Sequence, residues 1–255
     1  MFSTAELQML YRIGNAPINP FPYPHLFVRD VFPEDFYADL LRHVPPKEAL
    51  VPLVEARKSV GSDYNRNRSV LLMNDQSLGQ LDEPYRSFWA GVGGMLLAGN
   101  LGPLLMSKFS QAIDGRFTGQ AAIEVADEAL LVQDHADYSL GPHTDSPSKV
   151  FSLLFYLPAD DTRAHLGTSI YVPKDRSFTC QGGPHYPFEN FDRMLTMPYL
   201  PNTAFGFVKT PNAFHGVEPV TEGDGQRTLL LYDIRFRTRP TAPSSAATPA
   251  SQFKF

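Results

Sequence analysis

The sequence predicts a mainly β, α+β chain in which an N-terminal helical region buttresses a C-terminal barrel or sandwich of short antiparallel strands. Three observations predict it. From residue 121 onward the chain is a series of short apolar runs separated by Gly and Pro clusters, with no long helical pattern between them. Before that point apolar residues recur mainly at helical spacing. Proline occurs 23 times in 255 residues and aromatics make up 12%, which suits strands and turns better than a helix bundle. One domain over 1–238 follows, with 1–120 as helical support and 121–238 as the β core. The Pro/Ala/Ser-rich end, 239–255 (RPTAPSSAATPASQFKF), reads as a disordered tail.

Each element has a local reason. Residues 3–13 form an amphipathic helix with Ser3 or Thr4 as cap and Leu7, Leu10 and Tyr11 on its apolar face. A proline-rich extended stretch runs from Pro17 to Pro24, and His25–Val28 reads as a strand. Pro33 opens a second helix, with Glu34 and Asp35 at the positive end of its dipole and Phe36, Leu40 and Leu41 as buried stripe. Pro45 and Pro46 stop it. Residues 55–70 are a polar loop or strand edge, with Arg66 and Arg68 expected in solvent, the alternative being that they reach an anionic substrate. A longer helix covers 82–98, carrying Tyr85, Phe88, Trp89, Val92 and Leu96. The strands of the core are Ala121–Gln133, Val150–Leu157, Ser169–Val172, Ala204–Val208 and Arg227–Phe236. Between them, 173–201 has no periodicity but several aromatics, among them Phe178, Tyr186 and Phe191, which points to a packed lid at the substrate entrance.

Composition excludes several functions. Lys plus Arg number 22 and Asp plus Glu 27, giving −5, so neither a nucleic-acid footprint nor a polybasic membrane patch is expected. One cysteine, Cys180, permits no intramolecular disulfide and no thiolate zinc cage. The N-terminus lacks the pattern of a secretory signal. The most apolar stretch, Phe88–Leu105, is interrupted by glycines and Pro103, so a cytoplasmic chain with no membrane partner is expected.

The chemistry concentrates in a few residues. His143 and Asp145, in GPHTDSPSK, are two apart, which on an extended segment puts both side chains on one face. A third ligand could come from His215, in PNAFHGVEPV. Two imidazoles and one carboxylate form the facial triad of non-haem Fe(II) oxygenases, with positions left open for substrate and oxygen. His135 and Asp137 offer the same spacing, so spacing alone leaves two registers open. Arg227 begins an alternating run that sets Leu229, Leu231, Asp233 and Arg235 on its own face. A guanidinium directed into a barrel needs an anion, and its planar fork suits a carboxylate. His25, His43 and His165 have no partner at ligand spacing and read as structural or exposed, while His135 and His185 stay undecided.

Five segments in order resemble the 2-oxoglutarate- and Fe(II)-dependent dioxygenases, in their prolyl-4-hydroxylase-like branch: LLVQDHADYSLGPHTDSP, KVFSLLFYL, HLGTSIYVP, TPNAFHGVEPV and GQRTLLLYDIR. They lie within residues 125–236. The chain departs from the pattern at Thr168, in place of a glycine, and at Leu229, where a serine often follows the arginine. Gln133 stands where the family often has tyrosine.

The resemblance implies a double-stranded β-helix, a jelly roll with its ligands at the open mouth. His143, Asp145 and His215 match the iron ligands. Arg227 matches the base that holds the far carboxylate of 2-oxoglutarate, and Tyr156 a tyrosine reaching the same carboxylate. Gln133 and Ile170 fall at positions lining the co-substrate, and Ser152 is a stand-in for the missing hydroxyl. The implied cofactors are Fe(II), 2-oxoglutarate and O2, with ascorbate as a stimulant. The implied reaction hydroxylates a C–H bond and releases succinate and CO2. Asp145 favours hydroxylation over halogenation, since related halogenases carry a small residue there. A peptidyl residue, a free amino acid and a natural-product precursor all stay open as substrate. The rival reading is a cupin-like metal-binding barrel that acts as a binding module or a non-oxidative metalloenzyme.

Overall fold

The computed structural model describes residues 3–57, 66–118 and 124–237. The expected tail, part of the 55–70 segment and the start of the strand expected from Ala121 lie outside the described residues.

Two antiparallel sheets face each other. The larger is built from β1 (His25–Arg29), β2 (Val51–Pro52), β3 (Arg68–Leu72), β4 (Glu124–Asp134), β6 (Lys149–Tyr156), β9 (Thr203–Val208) and β11 (Arg227–Arg237), in the order β1-β9-β6-β11-β4-β3-β2. The smaller holds β5 (Leu140–His143), β7 (Thr168–Pro173), β8 (Phe191–Met197) and β10 (His215–Val217), in the order β5-β10-β7-β8. The result is the jelly-roll core that the sequence led us to expect.

Alternation along the strands explains the layers. Leu131 of β4, Phe151, Leu153 and Phe155 of β6, and Leu230 and Tyr232 of β11 face outward and join the helices in one apolar cluster. Leu130, Val132, Tyr156 and Leu229 face inward and form a second cluster between the sheets, with Ile170 and Phe205.

The helices are α1 (Thr4–Asn15), α2 (Glu34–Arg42), α3 (Leu53–Ala56), α4 (Asp75–Leu78), α5 (Tyr85–Leu97), α6 (Leu101–Lys108) and α7 (Ser110–Arg116). Ser3 caps α1 by accepting from the Glu6 N–H. The buried face of α1 is not the expected one. Ala5, Glu6, Met9 and Ile13 are buried, whereas Leu7 and Tyr11 are 52% and 67% exposed. Docking decides this: Asn100 donates to Glu6, and Lys108 donates to the carbonyls of Gly14 and Ala16. Those bonds turn the Glu6–Met9–Ile13 stripe toward α6. In α2, Tyr37 and Leu40 are buried, and Phe36 and Leu41 are only half-buried.

Four helices were not legible, α3, α4, α6 and α7. Together α5 and α6 make a stretch, Tyr85–Lys108, apolar and long enough by length and composition to cross a membrane, with mean hydropathy 1.3 over an 18-residue window. Here Trp89, Val92, Leu96, Leu101 and Leu105 of that stretch pack into the helix–sheet cluster. The 173–201 segment is also more regular than expected. Its second half is β8, paired with β7 from Phe191–Pro173 to Met197–Thr168.

Candidate metal centre and its cavity

β5 and β10 are neighbours, and their register sets His143 directly opposite His215. Gly216 lets the strands approach, since a Cβ there would lie 2.5 Å from the Leu140 carbonyl oxygen. Asp145 follows two residues after His143. The ligand atoms of His143, Asp145 and His215 all lie within 4.8 Å of one another, and all three residues are buried. His215 Nε2 is 4.0 Å from Asp145 Oδ1.

The protonation states suit a metal. Each imidazole donates Nδ1–H to a backbone carbonyl two residues earlier, His143 to Gly141 and His215 to Ala213, both at 3.0 Å. That assignment leaves both Nε2 atoms with a lone pair. Burial holds both histidines below their ordinary pKa, hence neutral at neutral pH. Burial alone would raise Asp145, but the Lys149 ammonium, the Ser152 hydroxyl and, in acid, the imidazoles once protonated outweigh it and hold the carboxyl below the usual range. Two neutral imidazoles and an ionised carboxylate, gathered and buried, are a donor set that fits a divalent ion of the iron type.

The rival register does not assemble. His135 and Asp137 lie in the turn after β4, and Asp137 has φ +65°. His135 pairs with Ser69 Oγ at 3.3 Å. The extended backbone that would align the two side chains is missing there.

The triad borders a cavity of about 760 Å³ between the sheets. Leu130, Val132, Leu154, Phe207, Val217 and Leu231 make its apolar wall. Arg227 lines it and is fully buried. Its Nε–H donates to the Leu166 carbonyl (2.5 Å), Nη1 to Asp134 Oδ2 (2.6 Å) and Nη2 to Thr168 Oγ1 (3.2 Å). Asp134 also accepts a bidentate pair from Arg68, at 2.6 and 2.9 Å. Arg68 is therefore not a solvated loop residue. It opens β3, is 12% exposed at its side chain, and stacks 4.3 Å over Tyr138.

Three other expected residues sit elsewhere than on the cavity wall. Gln133 faces the helical layer, one residue out of phase with Val132 and Asp134, and donates to the Pro45 carbonyl at 3.2 Å. Tyr156 lies behind Arg227, its ring 5.6 Å from the guanidinium, and its hydroxyl accepts from the Thr168 N–H at 3.1 Å. Ile170 pairs across from His215 but is packed wholly in the inner apolar cluster. Ser152 does line the cavity, where its hydroxyl lies 2.8 Å from Asp145 Oδ2.

The segment before β8 borders the same cavity through Gly182, Gly183, Pro184 and His185. It is pinned to the ligand strand. Thr144 donates to the Cys180 carbonyl at 2.8 Å, and the Tyr186 N–H donates to Pro142 at 2.9 Å. Gly182 has φ +120°, and a Cβ there would sit 2.6 Å from the Asp145 carbonyl oxygen. His185 is held with its ring centre 4.9 Å from that of His143.

Asp134, Lys149, Asp233 and Thr168 are site residues that sequence reasoning did not single out as such. Asp134 carries no signal until the register of β4 against β11 is known. Lys149 carries only its spacing of four from Asp145.

No family model matches the sequence, and no curated protein matches it. Solved structures do. A prolyl 4-hydroxylase from Phytophthora capsici is 12% identical, covers 99% of this chain over 72% of its own, and gives a TM-score of 0.50. A prolyl-4-hydroxylase from Pseudomonas putida is 15% identical, with 91% and 99% covered and a TM-score of 0.49. The alpha-ketoglutarate-dependent epimerase SnoN of nogalamycin biosynthesis is 13% identical, with 97% and 93% covered and a TM-score of 0.49. At such identities the likeness speaks for the fold. The chain is a jelly-roll protein similar in fold to the prolyl 4-hydroxylase of Phytophthora capsici, and it carries a buried His-Asp-His cluster on its cavity.

Proposed function

We propose that this protein is a 2-oxoglutarate- and Fe(II)-dependent dioxygenase that hydroxylates an unactivated C–H bond of an organic substrate. The observation that carries the reading is the convergence of His143, Asp145 and His215 on a cavity that also holds Arg227. Fe(II) with 2-oxoglutarate bound there supplies oxidative decarboxylation of the co-substrate to succinate and CO2, with O2 as oxidant, and hydroxylation of the substrate.

The chain's own residues bind and orient. Arg227 has five N–H groups, and Leu166, Asp134 and Thr168 engage three of them. The rest, with the Thr168 hydroxyl, suit the far carboxylate of the co-substrate. Leu130, Val132, Leu154 and Leu231 keep water from the space around it. Asp145 supports hydroxylation over halogenation, because it fills the ligand position a halide would need. A small molecule or a peptidyl residue fits this reading as substrate.

A second reading has one observation in its favour. Asp134 already neutralises Arg227, as it would in a metal-binding barrel with no co-substrate. One experiment separates the two. The protein is loaded with Fe(II) and 2-oxoglutarate without oxygen, and the weak visible charge-transfer band of the chelate is sought. The dioxygenase shows the band and releases succinate when air is admitted, with ascorbate raising the yield. A barrel that only binds metal shows neither, and that result would end the proposal.

A further inference from the structure

An ion-pair chain runs along one cavity wall and ends on a metal ligand. Lys149 Nζ donates to Asp145 Oδ1 at 3.1 Å and to Asp233 Oδ1 at 3.0 Å. Its third contact is Ser152 Oγ at 3.2 Å. Arg235 then bonds Glu128 and approaches Asp233 Oδ2 at 3.5 Å, and Arg57 closes on Glu128 at 2.9 Å. Charges alternate from Asp145 to Arg57. An ammonium has three N–H groups, and all three of Lys149 are committed within this wall. Its side chain is only 12% exposed. Lys149 is thus not a free cation waiting for substrate.

Asp145 Oδ1, the oxygen that takes Lys149, is also the one facing His215 Nε2. A divalent ion held by the triad and the Lys149 ammonium therefore share one carboxylate. Two cations on one carboxylate oppose each other. Asp233 offers Lys149 a second partner only 3.0 Å away.

We infer that Lys149 is a built-in stand-in for the metal's charge. It neutralises Asp145 before metal binds, so that the three ligands stay assembled, and it shifts onto Asp233 when a divalent ion arrives. Asp233 is then the residue that makes the exchange possible. This inference rests on the metal-binding reading above and adds to it a positioning role for two residues that hold no metal themselves.

Titration with Co(II), followed by its visible bands and by calorimetry, tests it. Coupling between two sites is reciprocal. Lys149→Met removes the competing charge, so Co(II) binds more tightly, by about tenfold, the lower range of such couplings. Asp233→Asn leaves Lys149 with Asp145 as its one carboxylate partner beside the Ser152 hydroxyl, so Co(II) binds about tenfold more weakly. Lys149→Arg keeps the charge and stays within about threefold of the wild type. Without metal, Lys149→Met has a lower Tm than the wild type, and Co(II) raises that Tm by more than it raises the wild-type value. Lys149→Gln serves if the methionine variant fails to fold. A purely structural role would weaken both the Lys149 and the Asp233 variants. Lys149→Met or Lys149→Gln binding no tighter than wild type, or Asp233→Asn binding no weaker, overturns the inference. A wild-type protein that takes up no divalent ion overturns the metal reading first, and this inference with it.

Discussion

Arg227 and Asp134 stand directly opposite each other on β11 and β4, 2.6 Å apart and both fully buried. Arg68 shares the same carboxylate, so Asp134 holds two guanidinium groups. A buried guanidinium stripped of its partner is costly, whereas a carboxylate that keeps one of two partners is not. The two single substitutions are therefore unequal. Asp134→Ala leaves Arg227 uncompensated and costs about 3–5 kcal/mol in urea unfolding. Arg227→Met leaves Asp134 paired to Arg68 and costs less, and under the proposed dioxygenase reading it also removes the 2-oxoglutarate chelate band. Equal losses would show that Asp134 is not shared in this way.

The ligand assignment separates two histidines only eight positions apart. His143→Ala and His215→Ala lower Co(II) affinity by about 100-fold or more, whereas His135→Ala leaves it within about threefold. Equilibrium dialysis with metal analysis reads this directly. Loss of metal in the His135 variant would move the centre to the other register.

Acid should weaken the fold, and the sign follows from the histidines. Burial lowers the pKa of His25, His135, His143, His185 and His215 from the ordinary 6.5. The unfolded chain then binds more protons than the folded one at and below that value, so stability is complete above pH 6.5 and falls as pH drops through the folded values. His25 isolates the effect from the metal centre. It is 2% exposed, packs on Phe205 and pairs Nδ1 with the Tyr23 carbonyl. His25→Phe flattens the slope of stability against pH by up to about 1.4 kcal/mol per pH unit, one proton's worth. Chemical denaturation at several pH values between 7 and 5 measures it. An unchanged slope would mean that His25 titrates normally in the fold.

The face of α1 is open to a stability test. Met9 and Ile13 are wholly buried, and Leu7 and Tyr11 are largely exposed. Met9→Ala or Ile13→Ala costs about 2–5 kcal/mol, as for other core truncations. Leu7→Lys or Tyr11→Lys changes stability by about 0.5 kcal/mol or less. Thermal unfolding of the four variants distinguishes this face from the one that the spacing of Leu7, Leu10 and Tyr11 suggests.

Much of the site was legible because its grammar is local. His143 and Asp145 lie two apart on an extended segment, and Arg227, Leu231 and Asp233 share one face of β11 by simple alternation. The strands β6, β7, β9 and β11 needed only apolar runs and their turn residues, whereas β8 lay in a segment without periodicity. What the sequence could not supply was partnership across the fold. Arg68, placed in solvent, turned out to pair with Asp134 because β3 adds to the sheet beside β4 with Arg68 opposite that residue. Gln133 was expected at the co-substrate, yet a phase difference of one residue turns it toward Pro45. The same limit hid the Lys149–Asp233 contact, which depends on β6 lying beside β11.

The sequence by itself determined which residues share a face, since side-chain direction along a strand or helix repeats with a fixed local period. Only the tertiary structure decided which face is buried and which charge meets which. Strand register and helix docking are set by contacts between segments far apart in the chain, and no local period encodes them.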